Sequence, residues 1–335
     1  MRKSLSIVLI AVVSTVTHGA WVERAAAEDL QLRTQAVQLM DRARAASVIR
    51  GGPYYLRTEA SFVATRDGGG LTSGTLIRTR GMNGSLRMDV TFGEWQASMI
   101  FADSQIGKVG PWDFPPYAVR KLLGLVPYSV GQFDNQDVIR TIRDGGAGGQ
   151  AATCVDYDTI RGESKTSNTI CVSKADGTLL EERDRGRVFE YSKYADVVGA
   201  KYPQHIDYSE ESGFHFSGDL TMTKLDSLSD DTFAIPSGAQ SGALCKTVTL
   251  PTPLSTPQPA AKGGVDAPVV NVVVRVFLTA AGTVIEPHVA KPTTPELDAA
   301  AVKLVQTWTF DPATCDGKPN GVPWDLVVHF QGTDR

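Results

Sequence analysis

The stretch Leu86-Arg87-Met88-Asp89-Val90-Thr91-Phe92 alternates apolar and polar side chains without a break. A period of two marks a strand with one buried face, because successive side chains of an extended chain point to opposite sides. Similar runs cover residues 54–65, 74–80, 94–102, 138–142, 151–160, 168–174, 187–194 and 214–225. Most are joined by short polar or glycine-rich turns, so neighbouring strands are expected to pair antiparallel, as meanders do. Two segments depart from the pattern. From Asp29 to Ile49 the apolar residues Leu30, Val37, Met40, Ala43 and Val48 recur at roughly helical spacing, and in Pro115–Val126 the residues Tyr117, Val119, Leu122, Leu123 and Val126 read as a helix ended near Pro127. Residues 29–237 are therefore expected to form one α+β domain, a large curved antiparallel sheet with two helices laid on it.

Past Pro236 the composition shifts. Six prolines fall between Pro236 and Pro268 with little that could enter a core, so 238–267 reads as a linker. Its most proline-rich part, Pro251–Pro268, would reach about 55 Å at roughly 3.1 Å per residue if extended. Beyond it come strands at 269–279 and 283–290 around a Gly282 turn, a helix from Pro295 to Gln306, and strands at 307–310 and 324–330. Thr294 stands at the N-cap of that helix and Pro295 at its first position. Leu297, Ala300, Ala301, Leu304 and Val305 form its apolar stripe. Residues 268–335 are expected to be a compact ββαβ module.

The amino terminus sets the compartment. Arg2 and Lys3 lead into the apolar run Leu5–Val16, followed by Thr17, His18, Gly19 and Ala20, the layout of a signal peptide within residues 1–27. Taken as residues 5–22, the same segment is just long enough for a short uncleaved anchor in the inner membrane. On either reading the remaining chain is exported. Lys plus Arg is 33 against 37 Asp plus Glu, a net charge of -4 with no basic footprint for nucleic acid.

Export permits the four cysteines to form two disulfides. Cys154 and Cys171 lie symmetrically about a turn centred between Gly162 and Glu163, so they face each other across a hairpin, and directly opposed positions are close enough to bond. Cys245 and Cys315 remain, and their bond would fold the start of the linker back onto the carboxy-terminal module. No C-x-x-C spacing exists, so no metal site is expected. No H-E-x-x-H, G-x-S-x-G, phosphate loop or dinucleotide fingerprint is present either. Gly145–Gly149 precedes a strand rather than a helix and lacks the helix amino terminus that phosphate binding uses. Asp156, Asp158, Glu181 and Glu182 are expected at solvent-facing strand positions. The expectation is a protein without catalytic residues or cofactor.

Two resemblances extend this reading. The order VVVRVFL (272–278), AAGTV (280–284), PELDAAAVKLVQTW (295–308) and WTFDPATCDGKP (308–319) resembles the carboxy-terminal domain of TonB-family proteins, over about residues 268–332. It implies a periplasmic module that contacts outer-membrane receptors by pairing a sheet edge with a receptor segment. Within it, Trp308 and Phe310 read as core packing against Leu297 and Leu304. Ser14, His18, Gly19 and Ala20 look like the S-x-x-x-H-G-A of the TonB membrane anchor, which makes Ser14 and His18 candidate anchor residues.

The first domain is loosely similar to the half-barrel of periplasmic lipoprotein carriers of the LolA and LolB type. The likeness rests on an amphipathic helix, long antiparallel strands, the segment PPYAVRKLLGLVP (115–127), and hairpins ending in DTFAIPSGA (231–239). It implies a concave face that encloses acyl chains, with Phe62, Leu76, Leu86, Met88, Val90, Trp95, Met99 and Phe101 as the candidate wall. A filled core would use the same residues, because a curved sheet must bury one face with or without a ligand. The function expected is a cell-envelope binding or adaptor protein, its partners a lipid or lipoprotein and an outer-membrane or envelope protein. The alternative is a membrane-anchored energy transducer supporting transport across the outer membrane.

Overall fold

The structure is a computed structural model that describes residues 13–49, 52–66, 69–112, 115–126, 128–161, 164–184, 186–211, 213–259, 269–290 and 293–331, with side chains from residue 30 onward. The start of the expected leader and the Gly162-Glu163 turn lie outside the described residues. Helix α1 (Val13–Ser47) leads into strands β1 (Tyr55–Thr65), β2 (Leu71–Arg80), β3 (Leu86–Phe92), β4 (Trp95–Ala102) and β5 (Gln105–Val109), then helix α2 (Tyr117–Leu125). There follow β6 (Asp137–Ala147), β7 (Gln150–Arg161), β8 (Ser164–Ser173), β9 (Leu179–Asp184), β10 (Arg187–Val197), β11 (Ala200–Glu210), β12 (His215–Leu225) and β13 (Gln240–Ala243). The remainder comprises β14 (Val248–Thr249), β15 (Thr252–Ser255), β16 (Val269–Leu278), β17 (Val284–Val289), helix α3 (Pro295–Val305), β18 (Thr309–Asp311), β19 (Ala313–Cys315), β20 (Lys318–Asn320) and β21 (Val322–Gln331). The chain divides into two compact units: residues 1–48, 129–194 and 199–201 form one, and residues 49–128, 195–198 and 202–335 the other. In both units the described strands pair antiparallel, and in neither do they close into a barrel.

The first unit is a meander in the order β10-β9-β8-β7-β6 with α1 packed on β6 and β8. α1 begins well before Asp29, because nothing between Ala20 and Asp29 breaks a helix and Ala25–Ala27 favours one. Its buried stripe is Ala36, Leu39, Met40, Ala43 and Ser47, whereas Leu30, Val37 and Val48 are exposed. The expected stripe is thus corrected: Leu30 and Val37 share a face seven residues apart, but it lies roughly 100° around the helix from the buried one. Arg33 fastens the helix by donating to the carbonyls of Asp134 and Asp137 at 2.7 and 2.6 Å. Cys154 stands opposite Cys171 in the β7–β8 register and is bonded to it. Asp158 corrects the expectation of a solvent-facing carboxylate: it is 3% exposed, accepts from Ser167, and pairs with Lys165 at 2.9 Å and Arg140 at 3.2 Å.

The second unit orders its large sheet β13-β5-β4-β3-β2-β1-β12-β11, so β12 returns to pair with β1 and the expected hairpins give way to one long-range contact. The carboxy-terminal module is a β17-β16-β21 sheet covered on one face by α3. The α3 start is as the residues dictate: the Thr294 side chain accepts from the Leu297 amide, with Pro295 next. Trp308 and Phe310 are buried with Val272, Val274, Val276, Ala301 and Val305, and Leu297 and Leu304 pack against them. The segment before the module is not extended over its described part. Thr252–Ser255 pairs with β18, Val248–Thr249 with β19, and Cys245 is bonded to Cys315. The Trp308 indole donates to the Pro257 carbonyl at 3.1 Å, so the proline-rich chain is pinned to the module by ladder and side-chain hydrogen bonds.

Candidate functional site

Cross-strand register sorts the side chains of β1 to β5 into two faces. Phe62 lies opposite Gly74, Leu76 opposite Val90, Met88 opposite Met99, Leu86 opposite Phe101, and Phe92 opposite Trp95. All eight candidate wall residues therefore share one face of the sheet. Exposure along it is graded. Phe62, Leu76 and Val90 are buried, and the Phe62 ring stacks on Phe92 and Phe216 at centroid distances of 5.9 and 5.3 Å, so this end is filled. Gly74 makes room for that ring: a Cβ there would stand 2.3 Å from Phe62. Towards the other end Met88 is buried while Leu86, Met99 and Phe101 are only half-buried, as is Trp95 at the Phe92 end.

The same register places Arg78 opposite both Met88 and Thr58, Arg80 opposite Leu86, and Lys108 opposite Met99, all on the apolar face. No Asp or Glu of β1 to β5 shares it. Glu59 and Asp89 fall on the opposite face, where each pairs with an arginine two residues away, Arg57 at 2.7 Å and Arg87 at 2.8 Å. Burial, reinforced by Arg80, holds the Arg78 guanidinium below the usual arginine range, with Tyr202 opposing. Where this face reaches β5 and β13 it meets a cavity of about 320 Å³ lined by Ile106, Lys108, Gln240, Leu244, Asn320 and the Cys245–Cys315 disulfide. Arg78 and Arg80 were legible from the alternation that found the apolar wall, since they continue the Leu76 series, whereas Lys108 lies on β5, outside the runs that alternation marked.

A second cluster gathers around α2. Tyr117 donates to both carboxylate oxygens of Glu210 at 2.8 Å, Lys121 pairs with Glu210 at 2.6 Å, and the Tyr208 hydroxyl donates to the same carboxylate. Burial pushes the Tyr117 hydroxyl up, helped by Glu210, while burial of Glu210 is outweighed by Lys121 and the two hydroxyls, leaving its carboxyl below the ordinary range. From the module, Asp325 accepts both bonds from Arg120 at 2.5 and 2.6 Å and one from Arg275 at 3.4 Å. The Arg275 guanidinium, fully buried, lies 4.7 Å from the Tyr117 ring centroid. Arg275 and Asp325 are register partners, so they occupy the module face opposite α3 and hold it against α2. Sequence separations of 93 residues for Tyr117–Glu210 and 205 for Arg120–Asp325 hid this cluster from local reading.

The four cysteines form the bonds Cys154–Cys171 and Cys245–Cys315. Ser14 and His18 fall in the described backbone of α1, but their side chains lie outside the described residues. Among the described residues no helix is long and apolar enough to cross a membrane, and no group of His, Cys, Asp and Glu could hold a metal ion.

No curated protein matches this chain significantly. Among solved structures, it is similar to a LolA superfamily protein from Nitrosomonas europaea, at 12% identity over 59% of this chain and 96% of that one with a TM-score of 0.37. A DUF1329 family protein from Desulfovibrio piger aligns at 12% identity over 61% and 99%, with a TM-score of 0.39. MucB in its complex with MucA from Pseudomonas aeruginosa aligns at 11% over 75% and 82%, with a TM-score of 0.28. At the carboxy terminus, in the region that carries the pinned module, residues 257–331 match the family of the Gram-negative bacterial TonB protein C-terminal.

Proposed function

We propose that the chain is a cell-envelope binding adaptor, in which the β1–β5 face receives the apolar part of a lipid or lipoprotein and the TonB-like module docks on an envelope protein. The observation that carries this reading is the graded face: eight apolar side chains share one side of the sheet, packed around Phe62, Leu76 and Val90 and half-buried at Leu86, Met99 and Phe101. A ligand there would be held by shape and apolar burial, at about 25 cal/mol per Å² removed from water. The expected test is uptake of a neutral apolar fluorophore, 1-N-phenylnaphthylamine, by the purified chain, with co-purified lipid read by mass spectrometry. Protein that carries no lipid and takes up no fluorophore overturns the reading.

The energy-transducer alternative has one feature against it. The segment before the module has little free reach, since residues 248–258 are paired along the module and Arg275 and Asp325 hold it against α2. Mass-spectrometric reading of the mature amino terminus tests it directly: a chain starting near Trp21 or Glu28 has lost Ser14 and His18 and excludes transduction.

A further inference from the structure

We infer that the ligand of the β1–β5 face is an anionic amphiphile whose charged head is held by Arg78 and Arg80 while its acyl chain lies on Leu86, Met99 and Phe101. The inference rests on the carrier reading above and adds to it the chemical class of the ligand. Its basis is the asymmetry of charge across one sheet. On the far face every arginine of β1 and β3 is neutralised in place, Arg57 by Glu59 and Arg87 by Asp89. On the apolar face the two arginines stand two residues apart on β2, Lys108 lies across Met99, and none of the three has an ion-pair partner among the described residues. Two guanidinium groups side by side repel, and burying part of one raises that cost. An arrangement of this kind is relieved by an anion, and guanidinium forks suit the oxygen pairs of a carboxylate or phosphate.

The apolar surroundings select the rest of the ligand. Arg78 sits beside Met88, and Arg80 beside Leu86, so a free inorganic anion would leave the half-buried Leu86, Met99 and Phe101 uncovered. Three strand spacings separate β2 from β5, about 14 Å, which is the reach of a medium acyl chain laid across the strands. At the far side of that path the face opens on the cavity at Ile106 and Leu244.

The experiment compares cis-parinaric acid with its neutral methyl ester by fluorescence titration of the full chain. The acid is expected to bind about tenfold more tightly than the ester, the effect of a charge-assisted hydrogen bond, and to weaken as salt is raised. In the double variant Arg78→Gln/Arg80→Gln the acid should lose that advantage while the ester binds as before. Arg78→Lys/Arg80→Lys keeps both charges and should retain most of it, which guards against a glutamine variant that fails to fold. Equal binding of acid and ester by the unaltered chain, or acid binding unchanged in both variants, overturns the assignment of the head group and leaves the carrier reading standing. Binding of neither probe removes both.

Discussion

Gly282 and Gly84 both hold a left-handed backbone, at φ +75° and +86°, yet only one of them is also crowded. A Cβ on Gly84 would meet nothing within 4 Å, whereas on Gly282 it would fall 1.8 Å from the Phe310 carbonyl oxygen, in the bridge where the Phe310 amide donates to Gly282 at 2.9 Å. Gly84→Ala is therefore expected to cost about 1 kcal/mol for conformation alone, and Gly282→Ala about 3 kcal/mol or more, because the bridge must open as well. Urea midpoints of the two variants give the comparison. Equal losses would mean that the turn moves freely. Glu210 supplies a prediction in pH. Its carboxyl lies below the ordinary range in the folded protein, so the stability it contributes is present above the unfolded value of about 4.3 and is lost as pH falls through the folded one. Glu210→Gln should cost about 2 kcal/mol at neutral pH, where it strips Lys121 of its counter-ion, and much less near pH 3. Urea titrations at the two pH values check it. Gly282 was readable from its turn, while Glu210 was not, because its partners Tyr117 and Lys121 belong to a helix far upstream.

Among elements, those whose residues repeat a single period were legible, and those interrupted by an unsuited residue were not. β1 to β4 follow from alternation alone, and α3 from its cap, proline and stripe. β11 was missed because Pro203 argues against a strand, yet it pairs with β12 from His205 to Ser209 beyond that residue. β9 was missed because four of its six residues are charged. The stripe of α1 was misassigned because two helix faces both carry apolar residues, and only contact with β6 and β8 decides between them. The hairpin cysteines were legible because a strand pair fixes their positions. From loop length, reducing Cys154–Cys171, with a separation of 17, should cost about 3 kcal/mol, and Cys245–Cys315, with a separation of 70, about 4 kcal/mol. Cys154→Ala/Cys171→Ala and Cys245→Ser/Cys315→Ser, each compared with the parent by urea unfolding, give the two values. The second pair should also raise proteolysis between Val248 and Gln258, where the disulfide and the short ladders act together. Resistance equal to the parent's would mean that the ladders suffice.

At the scale of the molecule, the module and α2 meet around the Asp325 carboxylate. Asp325 sits between Arg120 of α2 and its own register partner Arg275, and the Tyr117 ring covers the Arg275 guanidinium. Removing the carboxylate leaves two guanidinium groups with their shared counter-ion gone, one of them fully buried. Breaking a pair of this kind costs about 3 kcal/mol, because the remaining charge stays desolvated. The module's own core lies on the opposite face of the β17-β16-β21 sheet, around Val272, Val274, Ala301 and Val305, and does not depend on Asp325. Asp325→Ala should therefore loosen the docking and spare the module. Hydrogen exchange would show faster amides in Tyr117–Leu125 and along Val269–Leu278, with α3 protected as in the parent. Arg120→Met, which leaves Arg275 and Asp325 together, should produce a smaller change in the same amides. Unchanged exchange in α2 for both variants would show that docking rests on other contacts, and loss of protection in α3 would show that the ion cluster supports the module's fold rather than its position.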